Sequence, residues 1–452
     1  MTTPIFKVGP MPPAQTGIKQ KASFNIDFSS YSNYYTPYIF RDLNQISEPF
    51  RLVVAVLKAL GNSPISSRRI SSRSVNEPER VIFEVNYFSV TTISSAVIAF
   101  LMLILSSLFF INIGLGQSFL VTGIISYHDF DRILREEESS ANPVRGMVQK
   151  TYVITACIMV GELISRWWHA KKFVHFLNKW NGFELKLAKA FPHFDYDYDF
   201  LTLMNLRDNL ILFYVTYPSM VLIPAFLVVY CSRFNVFAKL LGILICSQFI
   251  AVSLLEDVKV IMSYKALQQA FHQVRKCIVH FKKIGGTMDA DVALSWGQLI
   301  QYIREQCDRA SRYQKFEELF RLIGYTGLVT LFVYIILNGW DHAQKRGSVL
   351  FILSSVGYGG MLLGRIYFKA VMADEIAQEE FQVARAVLKI DTKNCDHLTN
   401  LELKTLVDVI TLSPAKISFG NYITLNKRLL LAICSQIVTY LIVLMQFSQP
   451  NK

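Results

Sequence analysis

Long apolar segments constrain this chain more than any other feature. Residues 88–113 contain no Asp, Glu, Lys or Arg, and about 20 apolar residues suffice for a helix to cross a lipid bilayer. Six further segments of similar character follow. The sequence therefore predicts an all-α, multi-span membrane protein with seven transmembrane helices, at residues 88–113, 148–168, 209–231, 237–260, 319–338, 349–371 and 429–447.

The composition agrees with a membrane protein. Hydrophobic residues make up 52% of the 452 residues and charged residues only 18%, whereas soluble proteins average about 25% charged. The seven cysteines form no CxxC pair, and neither metal-ligand spacing, a phosphate-binding loop nor a GxSxG motif is present. We therefore expect free thiols, no cofactor, no metal and no enzymatic activity. The bases lie between apolar segments, which favours a membrane over a nucleic-acid partner.

The distribution of Lys and Arg predicts the orientation of the chain. Most of the 46 basic residues fall in the N-terminal tail and in the loops after the second, fourth and sixth predicted spans. Because basic segments stay on the cytosolic side, we expect a cytosolic N-terminus and an extracellular C-terminus. Residues 1–45 lack the apolar core of a signal peptide, so this tail is expected to remain in the cytosol.

Two other classes of membrane protein remain as alternatives. A G-protein-coupled receptor has the opposite topology, and its DRY and NPxxY motifs are absent here. A secondary transporter would show repeated halves and broken helices. No repeat is visible, although Pro218, Pro224 and the glycines at 357, 359 and 360 could break helices.

The segments between the predicted spans are not linker-like. Apolar residues recur every three or four residues through 261–318, with a break at Gly285 and Gly286, and again through 372–428. We predict long cytosolic helices whose apolar faces are covered within the chain or by other subunits. We also predict a short interfacial or re-entrant amphipathic helix at residues 50–61. The predicted order is tail 1–87, spans one to four 88–260, anchor segment 261–318, spans five and six 319–371, anchor segment 372–428 and last span 429–447.

Three acidic residues lie within predicted spans, Glu162, Glu256 and Asp257. An unpaired charge in a membrane is costly. We therefore expect structural ion pairs with basic residues of the predicted spans, namely Arg166, Lys259 or Arg365.

The last apolar segment carries a family resemblance. It ends in Thr439-Tyr440, five apolar residues and then Gln446-Phe447, which resembles the C-terminal signature of the insect gustatory receptors. Residues 303–305 with Arg312 resemble the segment before the fifth span of that family. Residues 418–428 resemble the lead-in to the last span of its sugar-receptor branch, although Leu441 stands where that branch usually has a glutamate.

The resemblance implies a gustatory receptor that works as a ligand-gated, non-selective cation channel in the plasma membrane of chemosensory dendrites. A small extracellular tastant, with sugar as the expected class, would open it. Four chains, in a homotetramer or in a heterotetramer with related receptors, would sit in membrane lipid and pass cations through one pore. The last spans would line that pore, and its pore or gate residues would be Thr439, Tyr440, Val443, Gln446 and Phe447.

The resemblance also places the ligand in the outer halves of spans two to six. Sugar recognition needs planar hydrogen-bonding groups and aromatic faces, although Tyr and Trp also line the membrane interface of any such protein. The candidate ligand-binding residues are Tyr152, Thr155, Tyr230, Gln248, Tyr334, Asn338, Trp340, Asp341, His342, Ser354 and Tyr358.

Overall fold

Helices dominate the structure, a computed structural model. It describes residues 46–70, 80–90, 143–191, 200–219, 236–284, 288–346, 349–392, 395–420 and 422–448, with 92–94, 96, 97, 100, 101 and 104. All of them belong to one structural unit, 40–452. The helices are α1 Glu48–Ala59, α2 Pro143–Ala190, α3 Phe200–Asn209, α4 Val236–Ile284, α5 Ala290–Arg346, α6 Val349–Leu388, α7 His397–Leu412 and α8 Lys427–Ser448.

Three of the predicted spans continue directly into the predicted anchor segments. Helix α4 passes residue 260 and α5 passes residue 319 without a break, and α6 joins the sixth span to the following amphipathic stretch. The periodicity predicted these extensions. Helix α2 also runs well past its predicted span, to Ala190, and the buried aromatic residues on this extension, such as Phe176, Trp180 and Phe183, have helical spacing.

The larger hydrophobic core lies where the predicted anchor segments meet. Helix α5 is central and packs against α2, α4, α6, α7 and α8. Leu267 and Phe271 of α4 and Trp296 and Ile303 of α5 are completely buried. These apolar faces are therefore covered largely within the chain, although Phe316 stays exposed, and a further contact between subunits stays a prediction.

The short helix expected at 50–61 is present as α1. Pro49 stands in its first turn, where a missing N–H costs nothing, and Gly61, with φ of 81°, follows its end. Phe50, Val53 and Leu57 join the larger core. Protein therefore covers this apolar face, and a position at the membrane surface stays a prediction.

Two small antiparallel hairpins interrupt the helical fold, and the sequence analysis predicted neither. Strand β1, Ile65–Ile70, pairs with β2, Arg80–Val85. The outer edge of β2 is bound to helix α2. The Phe83 N–H donates to Asn178 Oδ1 at 2.9 Å, and Asn178 Nδ2 donates to the Phe83 carbonyl at 2.8 Å. Strands β3, Ser418–Phe419, and β4, Ile423–Thr424, lead into α8.

The structure describes the first and third predicted spans only in part. The first is helical at its described residues from 92 to 104, and the third is described only to residue 219, beginning with a π-helical segment, Leu210–Thr216. Among the described residues, one helical stretch, Lys427–Gln446, is by its own length and composition apolar enough to cross a membrane, with a mean hydropathy of 2.1.

Candidate functional site

The last helix, α8, leaves most of its surface uncovered by the rest of the chain. Among the described side chains of α8, only Ile433 and Ile437 are buried, in a second core that contains Leu328 of α5 and Leu362 of α6. Four predicted pore residues lie on the exposed part, namely Thr439, Tyr440, Val443 and Gln446. The side chain of the fifth, Phe447, lies outside the described residues. A helix with one narrow buried seam leaves a broad surface for lipid or for other subunits.

The predicted ligand residues are described only in part. Tyr334 of α5 is buried, Gln248 of α4 is half-buried, and Tyr358 of α6 packs edge-on against Phe332 with ring centroids 5.5 Å apart. Tyr230 lies outside the described residues. The other candidates have described helical backbones, but their side chains lie outside the described part: Tyr152, Thr155, Asn338, Trp340, Asp341, His342 and Ser354. Their joint contribution to one pocket stays a prediction.

Ten ionisable side chains form a buried charge cluster where α2, α4, α5 and α6 meet. Every member is buried, and acids and bases are equal in number. The members are Glu162, Arg166, Glu256, Asp257, Lys259, Glu317, Glu318, Arg321, Arg365 and Lys369. Equal numbers keep the formal charge of the cluster at zero when all are ionised, which limits the cost of burying them.

The predicted ion pairs are present in this cluster. Arg166 pairs with Glu162, Lys259 with Glu256, and Arg365 with Asp257. The first two pairs join residues four and three positions apart on one helix, a spacing that brings side chains together. The third joins α4 to α6. The expectation that the three membrane acids are paired is therefore confirmed.

Arg321 of α5 lies at the centre of the cluster. Its guanidinium donates to Glu162 Oε1 at 2.9 Å, to Glu318 Oε1 at 2.8 Å and to Glu317 Oε1 at 2.6 Å. A planar guanidinium with five donors is suited to several carboxylates at once. Sequence reasoning missed Arg321 and both glutamates on α5. The available signal was the spacing of Glu317 and Arg321, which are four residues apart.

Lys369 of α6 closes the other side of the cluster. Its ammonium lies 2.6 Å from Glu318 Oε2 and 3.2 Å from Asp257 Oδ1. Asp257 also accepts a hydrogen bond of 3.1 Å from the Tyr214 hydroxyl, in the π-helical segment. Lys369 therefore ties α6 to both α4 and α5, and sequence reasoning missed this residue as well.

The basic residues of this cluster lower the pKa of one of its acids, Glu317. Glu317 lies just outside the predicted fifth span. Burial alone would raise the pKa of Glu317, but Arg321, Lys259 and Arg166 together lower it to about 2. Glu317 is therefore ionised at neutral pH. Since each carboxylate of the cluster has a basic partner, the arrangement serves to hold helices together and leaves no carboxylate free for acid–base chemistry.

A second polar contact joins α5 to the end of α7. Arg304 donates through Nε to Glu380 Oε1 at 2.6 Å, and through Nη2 to the carbonyls of Val409 at 3.1 Å and Ser413 at 2.8 Å. A guanidinium satisfies carbonyls left free at a helix C-terminus. Burial raises the pKa of Glu380, and the bonds from Arg304 and from the Ala415 N–H oppose that shift. Arg304, which belongs to the segment 303–305 that resembles the gustatory receptors, therefore has a structural role.

Metal binding has no support in the described ranges, where no group of three or more His, Cys, Asp or Glu side chains is placed to hold an ion. Four cysteines whose side chains the structure describes are free thiols, namely Cys277, Cys307, Cys395 and Cys434. Burial raises the pKa of Cys277 to about 12, so this thiol is protonated and unreactive at neutral pH.

Comparison with known proteins gives a consistent picture. A family model described as 7tm chemosensory receptor matches residues 103–451. Two solved structures of the insect olfactory receptor OR5 from Machilis hrabei, one in complex with eugenol, resemble this chain with a TM-score of 0.57 and 12% identity, covering 90% of this chain and 100% of that one. At this identity the likeness concerns the fold. No curated protein matches the sequence.

Proposed function

Because the chain belongs to the 7tm chemosensory receptor family, a family of membrane receptors of the ligand-gated channel kind and not of enzymes, we propose that it is a gustatory receptor. A small extracellular tastant, of the sugar class, opens a non-selective cation channel formed by four chains. The chain acts in the plasma membrane of a chemosensory dendrite, with its N-terminus in the cytosol.

The exposure of α8 carries this proposal. Within one chain, the polar Thr439 and Gln446 and the apolar Val443 are exposed on α8, and their spacing of four and three residues puts them on one face. Polar side chains facing lipid cost free energy, whereas they are satisfied beside a water-filled pore. Four α8 helices arranged around one axis would provide such a pore.

The gate is proposed at the outer end of α8. Gln446 and Phe447 follow five apolar residues there, and a ring of apolar side chains can close a narrow pore by excluding water. Opening requires only that α8 tilts or rotates enough to widen this ring. Gln446 then lines the wetted pore and Phe447 withdraws from the axis.

The packing of α5 suggests how ligand binding reaches the gate. Tyr325, Leu328 and Val329 of α5 share the second core with Ile433 and Ile437 of α8, so movement of α5 is transmitted to α8. A tastant shifts the equilibrium only if it binds the open state more tightly. The buried charge cluster fixes the inner ends of the same helices, which leaves the outer halves of spans two to six as the parts that move.

The test is whole-cell current from cells that express this chain alone, with G-protein signalling blocked, during application of sugars, sugar alcohols and bitter compounds. We expect a rapid, non-selective cation current with at least one sugar. Silence toward every sugar, with surface expression confirmed, would contradict a sugar-gated channel formed by this chain alone.

Gln446→Ala tests the gate in the same assay. We expect it to change the unitary conductance, or to change the ligand concentration for half-maximal current about threefold, which corresponds to about 0.7 kcal/mol of altered gating free energy. Gln378→Ala is the matched control, since Gln378 is an exposed glutamine of α6 outside the predicted spans. Unchanged conductance and gating in Gln446→Ala would contradict the gate assignment.

A further inference from the structure

A cleft lies between strand β2 and helix α2. Its volume is about 500 Å³, within the range of small-ligand sites. Tyr152, a predicted tastant residue, lies on the same helix about 30 Å away, given 1.5 Å per helical residue. The lining residues are Val85, Lys171, Val174, His175, Asn178 and Lys179.

The charge of this lining points to an anion. Two of the six side chains are cationic lysines, His175 adds a neutral imidazole that can donate one hydrogen bond, and none is acidic. Lys171, His175 and Lys179 are four residues apart and therefore share one face of α2, over about 12 Å. Asn178 is held by its two hydrogen bonds to Phe83, which makes the wall between strand and helix rigid.

A further base faces this region from α5. Arg309 is close enough that its charge, after burial and Lys179, lowers the pKa of His175. Its Nη2 atom donates to Glu305 at 2.9 Å, whereas its Nη1 atom is buried without a hydrogen-bond partner among the described residues. The two lysines of the lining therefore give the cleft its positive charge, and Arg309, although paired with Glu305, has a spare donor atom.

The upper end of the cleft lies at the expected membrane surface. The Lys171 ammonium is 5.7 Å from the centre of the Tyr87 ring, and Tyr87 immediately precedes the first predicted span. Phe88 is 91% exposed and Trp168, at the end of the second predicted span, is 79% exposed. Large exposed apolar and aromatic side chains mark the membrane interface. Lys179 lies about 12 Å further along α2, away from the membrane.

We propose that this cleft binds the phosphorylated inositol headgroup of an anionic lipid in the inner leaflet. Lys171 contacts the phosphodiester at the membrane surface, and His175 and Lys179 contact phosphate groups on the ring further into the cytosol. Inner-leaflet anionic lipids are attracted by basic residues next to spans, and basic groups spread over about 12 Å suit several phosphates better than one. The inference depends on the proposed orientation of the chain and is independent of the tastant.

The experiment measures binding of a fluorescent phosphatidylinositol bisphosphate to the purified full-length chain in phosphatidylcholine nanodiscs. We expect the double variant Lys171→Gln/Lys179→Gln to weaken binding about 30-fold. Each lysine near the membrane surface contributes about fivefold to the affinity, and the two contributions multiply. Lys172→Gln is the matched control and should change the affinity less than about twofold, because Lys172 is exposed but does not line the cleft.

Further measurements keep the proposal falsifiable. Lys171→Arg/Lys179→Arg should retain binding, and thermal unfolding in lipid-free detergent should be the same for all variants, so that misfolding is excluded. Equal losses in the double variant and in Lys172→Gln would overturn the site. If soluble inositol trisphosphate bound as tightly as the lipid, the proposal that the bound headgroup belongs to a membrane lipid would be wrong. If phosphatidylserine bound as tightly as phosphatidylinositol bisphosphate, the proposal that the cleft recognises phosphates on the inositol ring would be wrong.

Discussion

Arg321 shows how much of the buried charge cluster depends on contacts between helices. It reaches Glu162 of α2 as well as Glu317 and Glu318 of its own helix. Pairs within one helix, such as Glu162 with Arg166, follow from residue spacing and were predicted. A partner on another helix has no fixed spacing in the sequence, so the role of Arg321 became visible only in the structure.

Lys369→Gln tests whether the cluster depends on charge balance. The change removes the ammonium between Glu318 and Asp257 and leaves the buried cluster with one acid more than it has bases, although Arg321 and Arg365 still contact these two carboxylates. Breaking one side of a buried ion pair costs about 3 kcal/mol, so we expect a clearly lower thermal unfolding midpoint and reduced surface expression. Thermal unfolding in detergent is the measurement.

The control is the double variant Glu318→Gln/Lys369→Gln, which removes one acid and one base together. We expect it to recover about 1–2 kcal/mol relative to the sum of the single changes, as contacting residues do. Arg312→Gln, an exposed base on α5, should change stability by less than about 0.5 kcal/mol. Strictly additive effects of the two cluster changes would contradict a charge-balanced cluster.

At the scale of elements, glycines set how closely α2 and α5 approach. A Cβ atom on Gly324 of α5 would lie 2.4 Å from Ile158 Cδ1, and one on Gly161 of α2 would lie 2.5 Å from Phe320 Cε1. A side chain at either position would therefore force its neighbour on the other helix to shift. The sequence shows a glycine in a helix but cannot say which neighbour approaches it.

Gly324→Ala should destabilise the α2–α5 contact. The added methyl group forces the buried Ile158 to shift, and such overpacking costs about 1–3 kcal/mol. Gly327→Ala is the matched control on the same helix, since nothing lies within 4 Å of its Cβ position. Removing a glycine there should be neutral or stabilise by about 0.5–1 kcal/mol. Thermal unfolding of both variants in one detergent checks this, and equal loss in both would contradict the close contact.

At the scale of the whole molecule, the orientation in the membrane rests on the distribution of basic residues. We expect an epitope tag at the N-terminus to be stained only after cells are permeabilised, and a tag at the C-terminus to be stained in intact cells. A cytosolic marker must stay unstained in the intact cells as a control. The reverse pattern would contradict the proposed topology. It would also place the lipid-binding cleft beside the outer leaflet and so contradict the proposed ligand.

The sequence by itself determined the local features of this protein. Apolar length predicted the spans, helical periodicity predicted that α4 and α5 extend beyond them, and the ends of α8 indicated the receptor family. Each of these signals is contained in one continuous stretch of chain, where residue spacing fixes which side chains share a face. The same reasoning found the ion pairs of Glu162 and Glu256, whose partners lie within four residues.

Only the tertiary structure decided which surfaces meet. It showed that the apolar faces of α4 and α5 are covered largely within the chain, that Arg321 and Lys369 join the charge cluster, and that β2 and α2 enclose a basic cleft. A periodic pattern specifies an apolar face but not the element that covers it. Partners distant in the chain are chosen by packing and charge in three dimensions, and that choice created both the cluster and the cleft.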